Sequence, residues 1–508
     1  MKKLIITLAI IFYTVSCMAQ GSNFNNWITV GGNNNRDCFN NNFFDFTFGN
    51  ERTFNSPGSI WGMPIFTYNA YFATTRYTSL SPLRALIAGY TFSNTNPIWT
   101  YGENSGVNVI MGFNDSKVYA RDFQQNGNDT IFALNANDGS LVWKSRHTVE
   151  RGIIWTACFA QNGDLILPGS ATKRIMRINH LNGDTVWTNN RIIPNTGAET
   201  MCINGNTLYA WEGSITTPKT IIAINLSNGI IKYASPTLPG DGDQEIPFSV
   251  SRNGIIYCIR DGGLMYALKD TGTGFDILWS RNVLHPVGTY TQFAISKDSS
   301  IYIPLGKKIY RLNHNTGAAM DSSIDLVTSG TINPRFAIGM NELVHVSNGA
   351  NNPSEGKFFL FSKNLQTLHW ELPYPYNYYC GPSFGNETTG PFLLMTGAGT
   401  EIKTKYTFID NVNYESNSIP DKIELSQNYP NPFNPTTTIK YQITNHNFVE
   451  LKVYNILGNE VAALVNEKQK AGIYSVEFDA GNYSSGVYLY KLIVGNSYIE
   501  TKSMLLLK

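Results

Sequence analysis

Seven histidines are scattered along the chain, at His147, His180, His285, His314, His345, His369 and His446. Metal-dependent enzymes need such side chains at defined spacings, as in the HExxH pair that places two imidazoles around zinc. Neither HExxH nor another ligand cluster occurs here, and G-x-S-x-G, Walker A and G-x-G-x-x-G are not found in a strand-to-helix context. The sequence therefore predicts no catalytic, cofactor-binding or metal-binding residue, and no cofactor.

One acidic string has the residue types that bind calcium. Asp241, Asp243 and Glu245 alternate in PGDGDQE, so that carboxylates recur every second residue. An EF-hand loop also needs Gly at its sixth position and Glu at its twelfth, and this spacing is not satisfied. We interpret the string as a solvated loop between strands, with a calcium site as the alternative.

Five cysteines follow the N-terminal leader, namely Cys38, Cys158, Cys202, Cys258 and Cys380. An odd number cannot all pair within one chain. The middle three lie in strand-like apolar runs, where cysteine behaves as a small buried hydrophobic residue. Cys38 and Cys380 lie near the two ends of the repeat region, and the sequence leaves open whether they form a disulfide. The absence of CxxC gives no support for a zinc or redox site.

The elements that must position these residues are strands, because apolar runs alternate with turn residues and no amphipathic helix is indicated. One unit recurs: IFALNANDGSLVW is followed by IMRINHLNGDTVW and then by IIAINLSNGIIKY. Seven units close at Trp99, Trp143, Trp187, Tyr233, Trp279, Asp321 and Trp370. Their spacing of 42 to 49 residues is that of a four-stranded propeller blade.

The closing aromatic residues have a structural explanation. In the best unit, residues 131–134 form a strand, Asn135 to Gly139 turn the chain and residues 141–143 form the next strand. A large ring at a fixed place in each hairpin can wedge between neighbouring sheets and bury about 150–250 Å². We predict inter-blade packing rather than ligand stacking for the repeat aromatics, which are Trp99, Trp143, Trp187, Tyr233, Trp279 and Trp370.

The best unit also carries a family resemblance, through Ala133, Asn135, Asp138, Gly139 and Trp143. This spacing resembles the tryptophan-docking repeat of pyrroloquinoline-quinone-type (PQQ-like, quinoprotein-type) propellers, and the resemblance covers roughly residues 25–410. The family includes quinoprotein dehydrogenases and non-enzymatic outer-membrane assembly lipoproteins. The dehydrogenases hold calcium or a lanthanide with Glu, Asn and Asp, use a catalytic Asp and often have adjacent cysteines. None of these positions can be matched in this chain, and two units depart from the repeat, with Asp321 for the aromatic residue and Gln366 for glycine.

Eight blades fit the sequence better than seven. Strand candidates PFLLMTGAG and KTKYTFID follow Trp370, and NFFDFTFG near residue 42 offers a partner from the N-terminal side. A blade built from both ends of the chain leaves no open sheet edge. We expect an all-β fold, in which a seven- or eight-bladed PQQ-like β-propeller is followed by a small immunoglobulin-like β-sandwich.

The N-terminus has the features of a removable signal peptide, residues 1–19. Two lysines precede the apolar run of residues 4–15, and small side chains at Cys17 and Ala19 suit cleavage after Ala19. A lipoprotein acylated at Cys17 is the alternative. A formal net charge of +1 gives no field that would attract phosphate backbones, so nucleic acid is not an expected partner.

The C-terminal region has a different pattern. A polar segment, residues 411–424, separates the propeller of residues 20–410 from alternating strands over residues 425–508, which predict a small β-sandwich. YPNPFNP begins at residue 429, VYNILGNEV at 453 and GVYLYKL at 486. The motif residues are Tyr429, Pro430, Asn431, Pro432, Phe433, Gly458, Gly486, Tyr488 and Tyr490.

These motifs and the KSMLLLK tail resemble the type A C-terminal sorting domain of the type IX secretion system. The resemblance implies export to the periplasm, recognition by the type IX secretion machinery, passage across the outer membrane and proteolytic removal of the domain. The expected location is therefore secreted or at the outer cell surface, with surface lipopolysaccharide as a partner if the product stays attached.

For the propeller itself we expect a non-enzymatic binding or scaffold protein of Bacteroidota type, with an unknown ligand that is a glycan or a protein. The alternative is a quinone- or metal-dependent oxidoreductase, or a hydrolase with its site in the propeller channel. Two strings, Asp129-Thr130-Ile131 and Asp184-Thr185-Val186, resemble acceptors for O-glycosylation. Both lie in repeat hairpins, and we interpret them as ordinary strand edges.

Overall fold

A computed structural model describes residues 33, 38–40, 50–59, 65–103, 106–123, 128–150, 157–168, 174–191, 201–213, 219–240, 248–260, 263–283, 293–350, 352–375, 377, 380–387, 390–406, 412–416, 423–444, 447–469, 472–495 and 498–507. These residues form forty strands and one 3₁₀ helix, Pro353–Glu355. No helix among them has the length and apolar character needed to cross a bilayer. The fold is all-β, as the sequence predicts, and the predicted signal peptide lies outside the described residues.

The repeated hairpin forms because main-chain and side-chain hydrogen bonds close its turn. In the best unit, the amide of Asn135 donates to the carbonyl of Ser140, and that of Gly139 donates to the carbonyl of Asn135, both at 2.9 Å. Gly139 has a φ of 70°, a left-handed conformation that favours glycine. The turns at 179–184 and 225–230 repeat the same two bonds. The N-x-x-x-G pattern of the sequence is therefore the signature of this turn.

Strand β1 (Asn50–Ser59) comes first, and the first four blades follow it in chain order. Blade 1 consists of β2 (Ile65–Tyr68), β3 (Tyr71–Leu80), β4 (Leu83–Thr91) and β5 (Trp99–Tyr101). Blade 2 consists of β6 (Val107–Asn114), β7 (Lys117–Phe123), β8 (Asn128–Asn135) and β9 (Leu141–Glu150). Blade 3 consists of β10 (Cys158–Phe159), β11 (Leu165–Pro168), β12 (Arg174–Ile178) and β13 (Thr185–Asn190). Blade 4 consists of β14 (Cys202–Asn204), β15 (Thr207–Glu212), β16 (Thr220–Asn225) and β17 (Ile231–Ala234).

The remaining blades have the same antiparallel order. Blade 5 consists of β18 (Phe248–Val250), β19 (Ile255–Arg260), β20 (Leu264–Asp270) and β21 (Phe275–Asn282). Blade 6 consists of β22 (Ala294–Ile295), β23 (Ile301–Leu305), β24 (Lys308–Leu312) and β25 (Ala319–Ser322). Blade 7 consists of β26 (Arg335–Ile338), β27 (Val344–Ser347), β28 (Lys357–Phe361) and β29 (Leu368–Pro373). Blade 8 consists of β30 (Ser383–Glu387), β31 (Gly390–Thr396), β32 (Gly399–Tyr406) and β1.

The two ends of the propeller meet in blade 8. Strand β1 pairs antiparallel with β32, with Phe54 opposite Ile402, so the N-terminal strand is the outer strand of the last blade. The described residues thus form eight blades, the number that the sequence favours. The closing strand comes just after the string predicted for this role, and that string lies outside the described residues. Blades 1 and 2 are joined into one sheet by a parallel bridge between Ala85 and Val107.

The apolar core is divided among the interfaces between blades. First strands of neighbouring blades contact one another, as β14 and β18 or β22 and β26 do, and therefore lie nearest the axis of the ring. Typical of the interfaces is a cluster in which Tyr119 and Trp143 of blade 2 pack with Phe159 and Leu165 of blade 3. Because each sheet is apolar on both faces, a blade has no independent core and is stabilised by its neighbours.

Residues 38–40, a short N-terminal segment, pair with the first strand of blade 7. The amide of Ile338 donates to the carbonyl of Cys38, and the amide of Asn40 donates to that of Ile338, both at 2.8 Å. Phe39 forms a parallel bridge with Ile338, and the guanidinium of Arg252, from a turn of blade 5, lies 3.9 Å from the Phe39 ring centre. This segment therefore spans several blades on the axial side of the ring.

The C-terminal unit contains two four-stranded sheets. The first has the order β33 (Val412–Ser416), β38 (Gly472–Asp479), β35 (Thr436–Ile443) and β34 (Glu424–Leu425). The second has the order β37 (Glu460–Gln469), β36 (Asn447–Asn455), β39 (Gly486–Val494) and β40 (Tyr498–Leu506). A single buried cluster that includes Leu451, Val476 and Tyr490 fills the space between them, as in a β-sandwich.

The chain divides into compact units at residues 1–407 and 408–508. The sequence predicts the second domain to begin at residue 425, after a linker of residues 411–424. Strand β33 lies within that segment and pairs with β38, so the sandwich extends further toward the N-terminus than its motifs indicate. The sequence of β33, VNYES, is short and polar, which is why its composition indicates a linker.

Candidate functional site

Four of the repeat aromatics hold neighbouring blades together by a common contact. The indole N–H of Trp143, in blade 2, donates to the carbonyl of His180 in blade 3 at 2.9 Å. A Cβ added to Gly183 would lie 2.5 Å from Cε3 of the Trp143 ring, so only glycine lets the turn sit on the indole face. The same hydrogen bond joins Trp99 to Ala136 at 2.7 Å, Trp187 to Leu226 at 3.0 Å and Trp279 to His314 at 2.8 Å.

Tyr233 stands where the repeat otherwise has tryptophan, and it uses a different partner. Its hydroxyl donates to Oδ1 of Asp270 in blade 5 at 2.6 Å. The hydroxyl of Tyr209 donates to Oδ2 of the same carboxylate, also at 2.6 Å. Burial alone would raise the pKa of Asp270, but the bonds from Tyr209, Tyr233 and the Gly272 amide outweigh it and lower that pKa. The carboxylate therefore remains charged and joins two blades.

The last two units differ from the others. Trp370 is half-buried at the junction of blades 7 and 8, where the ammonium of Lys405 lies 5.0 Å from its ring centre. Lys405 also forms an ion pair of 2.8 Å with Glu51, and these charges line a surface groove of about 190 Å³. Asp321 replaces the aromatic residue of its blade and pairs with Arg311 of the neighbouring strand at 2.8 Å.

Several charged clusters also connect blades or turns. In blade 3, Asp164 accepts from His180 Nδ1 at 2.8 Å and from Arg177 Nε at 2.9 Å. Lys363, on a turn of blade 7, lies 2.7 Å from both Asp298 of blade 6 and Glu342 of its own blade. Because these side chains are occupied by one another, the clusters have the geometry of structural junctions.

The described residues contain no cluster of acidic, histidine and cysteine side chains that resembles a metal site. Among them, no three His, Cys, Asp or Glu side chains come together as a metal ion requires. His345 is fully buried, and burial lowers its pKa to about 3. The acidic string Asp241, Asp243 and Glu245 lies outside the described residues, so the calcium alternative and the expected lack of a cofactor stay predictions.

The cysteines are buried side chains of the propeller. All five carry thiols rather than disulfides in this structure, so the pairing of Cys38 with Cys380 that the sequence left open is not formed. The Cys38 thiol lies 3.6 Å from the carbonyl of Phe293. Burial raises the pKa of the Cys258 and Cys380 thiols well above the ordinary value. These thiols are consequently poor nucleophiles.

The GPSFG string around Ser383 and the two Asp-Thr strings at residues 129 and 184 lie in or next to strands. Ser383, in the string GPSFG, is buried in β30 and donates its hydroxyl to the Ile65 carbonyl at 2.8 Å. Asp129 is buried in an ion pair of 3.1 Å with Arg121, and the hydroxyl of Thr185 is also buried. The interpretation of the Asp-Thr strings as ordinary strand edges is consistent with this burial.

The motifs of the sandwich assemble at one of its ends. Phe433 is buried, its amide donates to the Leu505 carbonyl, and its carbonyl accepts from the Leu507 amide, both at 3.0 Å. Oδ1 of Asn431 accepts from the amide of Leu505 at 2.9 Å. Since Gly486 pairs with Leu506, the YPNPFNP segment, the start of β39 and the end of β40 lie side by side.

Tyrosine hydroxyls secure this arrangement. The hydroxyl of Tyr490 accepts from the Asn428 amide and donates to the Ser426 carbonyl, both at 2.9 Å. The hydroxyl of Tyr488 donates to the Ser484 carbonyl at 2.8 Å. Pro430 contributes its carbonyl, which accepts from Thr437 at 2.8 Å, and Pro432 links Asn431 to Phe433. In contrast, the side chain of Tyr429 is 81% exposed.

The VYNILGNEV motif forms the turn between β36 and β37. Gly458 has a φ of 79°, which favours glycine, and its amide donates to the Asn455 carbonyl at 2.9 Å. The two residues before it, Ile456 and Leu457, are 73% and 80% exposed. Motif spacing alone did not identify these apolar side chains, nor the carboxylate of Asp270. Ile456 and Leu457 are adjacent in a turn, where polar residues are usual. This adjacency is the feature of the sequence that indicates them.

Two family models match parts of the sequence. Residues 427–506 match the secretion system C-terminal sorting domain, and residues 87–320 match the outer membrane protein assembly factor BamB. The chain thus ends in a sorting domain of the type IX secretion system, which indicates export to the cell surface or the medium, and it contains a PQQ-like repeat domain. The predictions of fold class, family resemblance and export destination are confirmed.

Similar solved structures include two quinohemoprotein alcohol dehydrogenases. That of Comamonas testosteroni is 11% identical, with 81% of this chain and 84% of that chain covered and a TM-score of 0.57. ADHIIG of Pseudomonas putida HK5 is 13% identical, with coverages of 76% and 81% and a TM-score of 0.57. At such identities the likeness shows the fold alone. Among curated proteins, none matches this sequence.

Proposed function

We propose that this chain is a non-enzymatic binding or scaffold propeller, delivered to the cell surface or the medium through its C-terminal sorting domain. The observation that carries the export part is the assembly of the three sorting motifs at one end of the sandwich. Phe433 joins that end through two main-chain hydrogen bonds of 3.0 Å to β40 and the residue after it. The sequence match over residues 427–506 supports the same role.

The non-enzymatic part rests on how the propeller uses its charged side chains. Asp270, Asp164 and Lys363 are each bonded to at least two side chains. Ser383, the serine of the GPSFG string, is buried and donates to a carbonyl. Side chains that are bonded in this way stabilise the ring, and this supports a scaffold role.

The export part is tested by removing residues 408–508, the whole compact C-terminal unit. In a host with a working type IX system, we expect the full chain at the surface or in the medium and the truncated chain in the periplasm. Cell fractionation with immunodetection measures this, and protease resistance of the retained propeller shows that it is folded. A host that lacks the outer-membrane secretion channel is the matched control. Equal surface delivery of the truncated chain would overturn the sorting role.

The binding part is tested on the exported protein. A dye-linked dehydrogenase assay with added quinone and calcium should give no turnover above that of the heat-denatured protein, and clear turnover would contradict the scaffold proposal. A glycan array then distinguishes the two proposed ligand classes. Binding to a defined glycan supports a carbohydrate ligand, whereas silence across the array leaves a protein ligand. The same array includes lipopolysaccharide, the proposed surface partner.

A further inference from the structure

Two adjacent apolar side chains project from the turn between β36 and β37. Ile456 is 73% exposed and Leu457 is 80% exposed. In β36, by contrast, apolar residues alternate with polar ones, and Val449, Leu451 and Val453 are buried on one face. A turn normally contains polar residues, so this exposure is not explained by the fold of the sandwich.

The turn is rigidly built, which keeps both side chains pointing outward. Oδ1 of Asn455 accepts from the amides of Leu457 and Asn459, both at 3.0 Å. Asn455 also accepts through its main-chain carbonyl, from the Gly458 amide at 2.9 Å. A preorganised apolar group loses little conformational freedom when a partner covers it.

The exposed surface continues onto the neighbouring strands. Asn455 pairs with Tyr488, which places the turn beside Val487, and the Val487 side chain is 46% exposed. Val487 pairs with Leu505, and Leu507 follows two residues later on the same side with 50% exposure. We call Ile456, Leu457, Val487 and Leu507 the apolar end strip. None of these four carries a charge.

The apolar end strip lies where the sorting motifs meet. Leu507 donates its amide to Phe433 at 3.0 Å, so YPNPFNP is bonded directly to one end of the strip. Gly458 closes the turn at the other end. The motifs therefore have two physical roles: they fold the sandwich, and they hold these four apolar side chains in one place.

We propose that the apolar end strip docks on an apolar surface of a protein component of the export machinery, with Ile456 and Leu457 as the central contacts. This inference rests on the proposed sorting function and names the surface that performs it. Exposed apolar clusters of this kind mark protein interfaces, and a few central side chains contribute most of the affinity. Because the strip is uncharged, the interaction should depend little on ionic strength.

The test replaces the two central side chains in the full chain, as I456S with L457S. The matched control is F448S with I499S, because Phe448 and Ile499 are 43% and 64% exposed and lie at the opposite end of the sandwich. We expect surface delivery of the first variant to fall at least tenfold, and that of the control to stay within twofold of the parent. Thermal unfolding of both purified variants should match the parent, since all four side chains are exposed.

Deletion of residues 408–508 in the same host separates the possible failures. If the deletion blocks delivery but I456S with L457S does not, the docking surface is wrong and the sorting function stands. If the deletion has no effect either, the sorting function itself fails. Equal losses for the control pair and the strip variant would also overturn the proposed surface.

Photo-crosslinking identifies the occupant of the strip. Benzoylphenylalanine incorporated at position 457 of the full chain should crosslink to an outer-membrane component of the export machinery, and incorporation at position 499 should not. A crosslink to a second copy of the chain, or to lipid alone, would contradict the proposal. The crosslink should persist at high salt, because charged contacts do not carry it.

Discussion

The hydroxyl of Tyr233 donates a hydrogen bond of 2.6 Å to Oδ1 of Asp270, which lies in the next blade of the ring. At this position the other well-formed repeats have a tryptophan whose indole N–H donates to a main-chain carbonyl. The replacement of tryptophan by tyrosine at position 233 and the carboxylate at position 270 thus belong together. A shorter aromatic side chain is matched by an acceptor that projects from the adjoining blade.

Replacing Asp270 with alanine should destabilise the propeller. Both Tyr209 and Tyr233 would lose their acceptor, and we expect a loss of about 2 kcal/mol in the free energy of unfolding, because hydrogen bonds to charged groups contribute about 1.5–3 kcal/mol. Urea unfolding of D270A, Y233F and the double variant measures this. The coupling between the two sites should be about 1 kcal/mol, and strictly additive losses would contradict the interaction.

The same carboxylate predicts a pH dependence at the acid end. Its pKa is lowered in the folded protein by the bonds that outweigh burial. The stabilisation is therefore present above the ordinary Asp value of 3.8 and is lost as the pH falls through the lowered folded-state pKa. Over this pH range, the free energy of unfolding should therefore fall less in D270A than in the parent protein.

Substituting alanine for Gly183 should destabilise blade 3 more than the same change at Gly205. Both glycines have positive φ, 77° and 57°, so both substitutions strain the backbone. Only at Gly183 would the new Cβ collide with a ring, at 2.5 Å from Trp143, whereas nothing lies within 4 Å at Gly205. The difference in unfolding free energy should be about 1–3 kcal/mol, the cost of overpacking. Equal losses would show that the indole does not rest on this turn.

The blade repeat was predictable because the same packing problem recurs at each interface. The spacing of Trp143 and Trp187 is set by the length of one blade, so a fixed interval in the sequence reflects a fixed contact in the ring. The closing strand was harder to place. In Asn50–Ser59 only Phe54 is a buried apolar residue, and a strand that is polar at most positions has little periodic signal.

Two features of the candidate sites depend on contacts between distant residues. Tyr233 and Asp270 are 37 residues apart, and each departs from the repeat in a way that has meaning only beside the other. The apolar end strip joins residues from a turn, the start of β39 and the residue after β40. Its motifs were evident from the sequence, but exposure of Ile456 and Leu457 is a property of the folded sandwich.

Arg76 should stabilise the closure of the ring. It is fully buried in blade 1 and donates to Thr396 Oγ1 and to the Gly399 carbonyl of blade 8, both at 2.6 Å. Replacement by methionine removes a donor from the buried Thr396 hydroxyl and the bond to the part-buried Gly399 carbonyl, at a cost of about 2 kcal/mol. Hydrogen exchange at residues 396–399 should accelerate in R76M.

The control for Arg76 is Arg84, which is exposed in the same blade. R84M should change the free energy of unfolding by no more than about 0.5 kcal/mol. Unchanged exchange at residues 396–399 in R76M would show that the seam does not depend on this guanidinium.

His345 predicts a second, separate pH effect. It is buried in blade 7, where its Nδ1 donates to the Ala337 carbonyl at 3.1 Å, and burial lowers its pKa from 6.5 to about 3. The folded state therefore excludes a proton that the unfolded state binds. The contribution of neutral His345 to the free energy of unfolding is complete above pH 6.5 and is lost as the pH falls toward 3.

Replacement of His345 by asparagine tests this, because an amide can keep the hydrogen bond without titrating. Unfolding free energies at pH 7 and at about pH 4 should differ less in H345N than in the parent, by the linkage between proton binding and folding. Parallel pH profiles for the two proteins would refute the assignment. The effect of Asp270 begins only below its ordinary pKa of 3.8, whereas that of His345 begins below 6.5, so the two effects are distinguishable by their pH ranges.

Tyr490 should be necessary for the order of the sorting motif. Its buried hydroxyl is bonded to the main chain at Asn428 and Ser426, so phenylalanine leaves two polar groups unsatisfied and should cost about 1–3 kcal/mol in sandwich stability. Tyr454→Phe, on the half-exposed side of β36, is the matched control. Thermal unfolding and limited proteolysis of residues 426–433 measure the effect. Because these residues are bonded to the end of β40, Y490F should also reduce export, while an unchanged melting temperature would mean that the hydroxyl does not secure the motif.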